Sequence, residues 1–301
     1  MTIASPAPRR RLESLWKLGG LTPLSLLYKV LRAIAQDDLF ARASGLAFDF
    51  VLALFPLMVF MLALFGLFAS HGSQLLTSLL SYLADFLPPA ASQLFDGIIN
   101  ELASHSGGGK LTFGIVAGLW FASGGMSSMI STLNAVYRVR EARSWLRVRA
   151  VALGLTLAIA VLLLAALLLV FVGNHFVDWL AAEFSWSSFL ATAWKEFRWP
   201  AAALFVMISF SLVYYCGPNL TQHRWHWITP GSLFGMLLCL ASSAGLRIYL
   251  HFFDTYSATY GSLGAVMILL VWLYVTGLAF LIGGEINAEI ERSAAGTNLA
   301  S

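Results

Sequence analysis

Long apolar stretches alternate with short polar ones along this 301-residue chain, and the lengths of the apolar stretches decide the reading. A bilayer core about 30 Å thick is crossed by roughly 20 apolar residues in a helix. Six stretches reach about that length: 44–69, 111–133, 150–173, 199–217, 228–250 and 261–284. Hydrocarbon offers the backbone no hydrogen-bond partner, so each stretch is predicted to be an α-helix. The predicted fold class is all-α, a polytopic transmembrane helical bundle. Pro56 removes a backbone donor inside the first span, where a kink is expected.

Shorter periodic patterns lie outside the spans. Thr22-Pro23 is a helix start, with Thr as cap and Pro at the first helical position. Leu24, Leu27, Val30, Leu31 and Ile34 then recur at helical spacing, with Lys29 and Arg32 off the stripe. An amphipathic helix over 23–36 follows, either lying on the inner leaflet or packed against the bundle. Two apolar faces, Leu75 to Leu87 and Leu94 to Leu102, are split by Pro88-Pro89 and end at Gly107-Gly108-Gly109. Both are too short to span and predict an external helical hairpin near 74–104. The connection 174–198 holds Phe176, Trp179, Phe184, Trp186, Phe189, Trp194 and Phe197, the residues of an interfacial belt. The expected division is a segment 1–43, a membrane domain 44–292 and a disordered tail 293–301.

Composition agrees with this pattern. Apolar residues are 59% of the chain and charged residues 11%, with mean hydropathy +0.78. Soluble domains carry about 25% charged residues, so this chain could not coat a water-facing surface. The placement of Lys and Arg says more than the net charge of +3. Fourteen of the 18 fall in residues 9–42, in 138–149, at Arg224 and at Arg292; only Lys110, Lys195, Arg198 and Arg247 lie on the other side. By the positive-inside rule both termini are expected in the cytoplasm. Residues 1–20 are basic but lack the short apolar core of a cleaved signal. Cys216 and Cys239 both sit in apolar runs, which speaks against a disulfide or thiolate metal site.

Polar chemistry at membrane depth is costly, so its few instances are the candidate site. Asp49 lies just inside the first span. Glu285 and Glu289, one turn apart at the end of the last span, could bind substrate or form a structural lock with Arg138 and Arg140. Arg247, His251 and Asp254 share a helical face at the external end of the fifth span, suited to an anionic headgroup or to a local ion pair. Gly114 and Gly118, Gly231 and Gly235, and Gly283-Gly284 mark close helix contacts, and such spacing also suits a homo-oligomer. No catalytic motif, cofactor signature or metal-ligand spacing is present in a suitable context, and His223 and His226 are too few for either task. The basic loop is explained by orientation, so the expected partners are membrane lipids and not nucleic acid.

Four blocks also resemble the YihY/BrkB family of bacterial inner-membrane proteins. They are Ala43 to Phe48 with Leu54-Phe55-Pro56-Leu57, Asn134-Ala135-Val136-Tyr137-Arg138-Val139, Tyr215-Cys216-Gly217-Pro218-Asn219, and Tyr260-Gly261-Ser262-Leu263-Gly264 running to Gly284-Glu285-Ile286-Asn287-Ala288. The resemblance covers roughly residues 30–292. Asp49 departs from the tyrosine-rich first block of that family, which weakens a family-wide role for it. The resemblance implies an inner-membrane bundle. It brings a former ribonuclease BN label that nothing in this chain supports, a virulence-factor name, and links to movement of lipid or lipid A precursors. The functional expectation is a transporter or flippase of an amphipathic lipid or other anionic envelope substrate, with a non-transporting envelope scaffold as the alternative and a membrane-bound ribonuclease as the third.

Overall fold

The computed structural model of the protein describes residues 15–53, 108–184, 188–220, 228–252 and 262–297. Every regular element in these segments is helical. A short 3-10 turn, Leu15–Gly20, leads into α1 (Pro23–Gln36) and α2 (39–53). Then follow α3 (Gly108–Val136), α4 (Trp145–Phe184), α5 (Ser188–Cys216), α6 (Pro230–Phe252) and α7 (Ser262–Thr297). Four stretches among the described residues are long and apolar enough to cross a membrane: Trp145–Val170, Glu196–Cys216, Pro230–Tyr249 and Val266–Ala294. Their outer faces carry exposed leucine, valine and phenylalanine, such as Leu157, Val161, Leu204 and Phe234, as lipid-facing helices do. The external hairpin near 74–104, Pro56, His223, His226 and Asp254 lie outside the described residues.

One end of the bundle gathers most of the polar contacts between helices, and we call it the arginine end. Here α3 and α5 finish, α4 and α6 begin, and α1 packs on the last turns of α7. Asp49 of α2 meets Ser128, and Phe50 and Ala53 meet Gly125, so α2 runs antiparallel to α3. Thr22 caps α1 as expected, its Oγ1 accepting from the Ser25 N–H at 3.3 Å. The α1 stripe divides. Leu26, Val30 and Ala33 are buried, the first two against Ile286 and Ile290, while Leu24, Leu27, Tyr28 and Leu31 are exposed. Packing on the bundle therefore uses only one face of the helix.

Helix fills most of the connection 174–198: α4 runs on to Phe184 and α5 starts at Ser188, well before Pro200. The run Asp178-Trp179-Leu180-Ala181-Ala182-Glu183 contains no Gly or Pro to stop a helix. The tail expected to be disordered from 293 is helical as far as Thr297. Its support is the N-terminal turn: Gly19, at φ 58°, brings its backbone against Ile290, and a Cβ there would stand 2.5 Å from the Ile290 carbonyl oxygen.

The contact of α6 with α7 is built on glycine. A Cβ on Gly231 would overlap the Gly283 carbonyl oxygen and lie 2.6 Å from the Asn287 side chain. A Cβ on Gly283 would lie 2.5 Å from both the Gly231 carbonyl oxygen and the Tyr214 hydroxyl. The backbones can meet only without side chains here. Tyr214 reaches across from α5, donates to the Phe280 carbonyl at 2.6 Å and stacks on the Phe280 ring.

Candidate functional site

The α3 helix carries a line of hydroxyls: Ser123, Ser127, Ser128 and Thr132. Three of them bond back to carbonyls of their own helix, Ser123 to Trp120, Ser127 to Ser123 and Thr132 to Ser128, which satisfies them locally. Ser128 instead donates to Asp49 Oδ2 across the α2–α3 contact. A cation approaches the neighbouring position. Arg149 of α4 donates to the Trp120 carbonyl and to Ser127 Oγ, and its guanidinium lies 4.4 Å over the Trp120 ring. Asp49 and Arg149 thus meet adjacent residues of α3, eight or nine positions before its end at Val136, or about 12 Å along the axis. The sequence reading singled out Asp49 but missed Arg149 and the hydroxyls. The signal was there in Ser127-Ser128 and Ser131-Thr132, four hydroxyl residues within six positions of one span.

The arginine end holds a second, denser network. Glu285 is fully buried, and its Oε1 accepts from Arg292 of the same helix. Arg292 also donates to Glu289 Oε1 at 2.8 Å and to the Val136 carbonyl at 3.0 Å. The expected lock of Glu285 on Arg138 or Arg140 is therefore corrected: the partner is Arg292. The three residues sit at i, i+4 and i+7 and share a face, so no second element is needed. Arg138 is committed elsewhere. It takes the left-handed position that ends α3, at φ 55°, with its N–H on the Ala135 carbonyl and the Val139 N–H on the Asn134 carbonyl. From there its guanidinium meets Asp37, between α1 and α2, at 2.9 Å. Arg140 contributes its backbone carbonyl, which accepts from Asn219 at 3.1 Å.

Two asparagines stitch helices together. Asn287 accepts from the Gly231 N–H at 2.9 Å and donates to Thr229 Oγ1 at 3.0 Å, so α7 satisfies an orphan donor in the first turn of α6. Thr229 and Ser232 complete that cap with reciprocal backbone-to-hydroxyl bonds of 3.0 Å. Asn134 accepts from the Asn219 N–H at 2.7 Å and donates to Glu141 at 2.8 Å. Glu141 in turn holds Arg143, which donates to the Gly217 carbonyl at 2.7 Å where α5 ends. The Arg143 guanidinium keeps the Glu141 carboxyl down at about 2. The three blocks around Asn134, Asn219 and Asn287, far apart in sequence, are thereby brought to one end of the bundle.

The other candidates do not assemble in the same way. Arg247 is exposed on α6, and the His251 side chain and Asp254 lie outside the described residues. Gly235 and Gly284 join Gly231 and Gly283 in close contacts, within 3.0–3.1 Å of Tyr214 and Leu133 atoms for an added Cβ. Gly118 is buried on α3; Gly114 has no described surroundings. Among the described residues no three His, Cys, Asp or Glu side chains gather as metal ligands would.

Comparison with known proteins gives the family. The chain is 34% identical over 253 residues to the ribonuclease-like protein YfkH of Bacillus subtilis, covering 84% of this chain and 90% of that one. It is 30% identical over 261 residues to a UPF0761 membrane protein of Rhodospirillum centenum, covering 85% of this chain and 55% of the relative. A UPF0761 membrane protein of Verminephrobacter eiseniae is 29% identical over 303 residues, at 95% and 67% coverage. Against the Rhodospirillum relative, then, the chain spans little more than half the length. No solved structure matches. The family model of virulence factor BrkB matches residues 30–300, and the chain belongs to that family of membrane proteins.

Proposed function

We propose that this protein is a transporter or flippase of the bacterial inner membrane, moving an amphipathic lipid or related envelope substrate with an anionic headgroup, with its arginine end in the cytoplasm. The observation that carries this reading is the seam on α3. Asp49 and Arg149 flank a row of hydroxyls within the second span expected from the sequence, and charge inside a bilayer is retained only for a task or for a lock. Around them Phe48, Leu52, Trp120 and Phe121 are exposed, a surface suited to acyl chains. A headgroup could follow the polar seam while its acyl chains stay in the bilayer. The balance of the seam, one acid and one base, suits a phosphate-bearing headgroup better than a small ion. Asp49 and Arg149 act as headgroup contacts, and Arg247 is a docking cation at the far face. The ribonuclease-like name is that of the Bacillus relative, and the reading proposed for this chain does not rest on it.

The test is crosslinking. A phospholipid with a photoreactive group at its headgroup should label α3 between Trp120 and Thr132 in the reconstituted protein. Arg149→Gln should reduce that labelling several-fold, while Arg147→Gln, on the exposed side of α4, should not. Labelling confined to acyl-chain probes would overturn the seam as the headgroup path.

A further inference from the structure

Two carboxylates and one guanidinium share the last turns of α7. Glu285 is fully buried, and its second oxygen, Oε2, has no partner. Arg292 divides itself among Glu285, Glu289 and the Val136 carbonyl, and its own Nε is buried without an acceptor. The groups facing this cluster from other elements are Asp37 between α1 and α2, and Tyr137 and Arg138 beyond α3; Glu291 faces it from α7 itself. Asp37 and Arg138 neutralise each other at 2.9 Å. Tyr137 is buried, which pushes its hydroxyl well above the ordinary value and leaves it a neutral phenol. Glu291 brings no cation. Glu285 and Glu289 are left with a single positive charge between them. Two carboxylates crowded on one site with little water do not ionise independently; they exchange protons as a unit.

We propose that Glu285 and Glu289, held together by Arg292, form a proton-binding site that carries one proton at neutral pH, and that its occupancy sets how firmly α7 is latched to the end of α3. The proton comes from water and forms an O–H bond at Oε2 of Glu285, the oxygen left without a partner. Oε1 then still accepts from Arg292, and the cluster is neutral. Loss of the proton leaves an uncompensated negative charge in a dry site. With the proton in place Arg292 keeps Glu285, Glu289 and the Val136 carbonyl together, and without it the latch is weakened. This inference stands apart from the lipid reading and survives its failure.

Infrared spectroscopy of the full-length protein in lipid nanodiscs tests it. At neutral pH, where exposed carboxyl groups are fully ionised, the wild type should show a protonated-carboxyl C=O stretch of about one group per chain that shifts in heavy water. Glu285→Gln or Glu289→Gln should remove it, because either neutral amide relieves the crowding, and Glu291→Gln should leave it. A wild-type spectrum without the band overturns the proposal whatever the variants do. So does a band that both Gln variants keep, or one that only Glu291→Gln removes.

Discussion

Glu141 lies in the turn between α3 and α4, where a single side chain joins Asn134 to Arg143 and through it to the end of α5. Its carboxyl is held at about 2 in the fold, against an ordinary value of 4.5. A group held down in this way contributes stability that is complete above the unfolded value and is lost as pH falls through the folded one. The wild type should therefore lose part of its stability between about pH 4.5 and pH 2. Glu141→Gln should flatten that part of the slope and cost about 1 kcal/mol at neutral pH, a figure kept small because the pair is partly exposed. Melting temperatures in detergent across pH check this, and equal slopes would contradict it. At this scale the sequence was half legible. That Glu285 must be paired follows from the cost of a buried carboxylate, but its partner did not, because the left-handed turn at Arg138 that sends the nearest loop arginine to Asp37 leaves no pattern in the residue types. Arg292 could have been found: it completes an i, i+4, i+7 face with Glu285 and Glu289.

Between elements, the α6–α7 contact allows a direct comparison of glycines. Gly231→Ala and Gly283→Ala place a methyl group against backbone that has nowhere to go, and each should cost about 1–3 kcal/mol or more. Gly154 on α4 meets nothing within 4 Å of an added Cβ, so Gly154→Ala should be neutral or slightly stabilising through helix propensity. Thermal unfolding of the three variants in one detergent gives the ranking, and a Gly231→Ala as stable as Gly154→Ala would contradict the close contact. The small-residue spacing at Gly231, Gly235 and Gly283 was readable in the sequence. The extents of α4, α5 and α7 were not. Aromatic residues in 174–198 read as an interface belt whether or not the backbone around them is helical, and the last turns of α7 depend on a tertiary contact with Gly19.

For the whole molecule, the apolar run lengths and the sparse charge already specified a helical membrane bundle, and four of the expected spans coincide with the apolar, membrane-length stretches of described helices to within a few residues at most of their ends. The family blocks pointed to the right places without saying why. Asn134 and Asn219 bond to each other across the ends of α3 and α5, and Asn287 caps the start of α6, so the separate blocks meet at one end of the bundle. The α3 seam stayed hidden because serine and threonine in a span read as filler until Asp49 and Arg149 are seen to flank them. The central claim is that this seam passes a lipid headgroup. Purified protein reconstituted in liposomes with headgroup-labelled phospholipid, quenched from outside, measures the exchange between leaflets directly. Wild-type protein should raise exchange well above protein-free liposomes, and Asp49→Asn or Arg149→Gln should lower it about tenfold, a barrier increase of about 1.4 kcal/mol. Exchange no faster than in empty liposomes across neutral and anionic headgroups, or wild-type rates in both variants, would contradict the account.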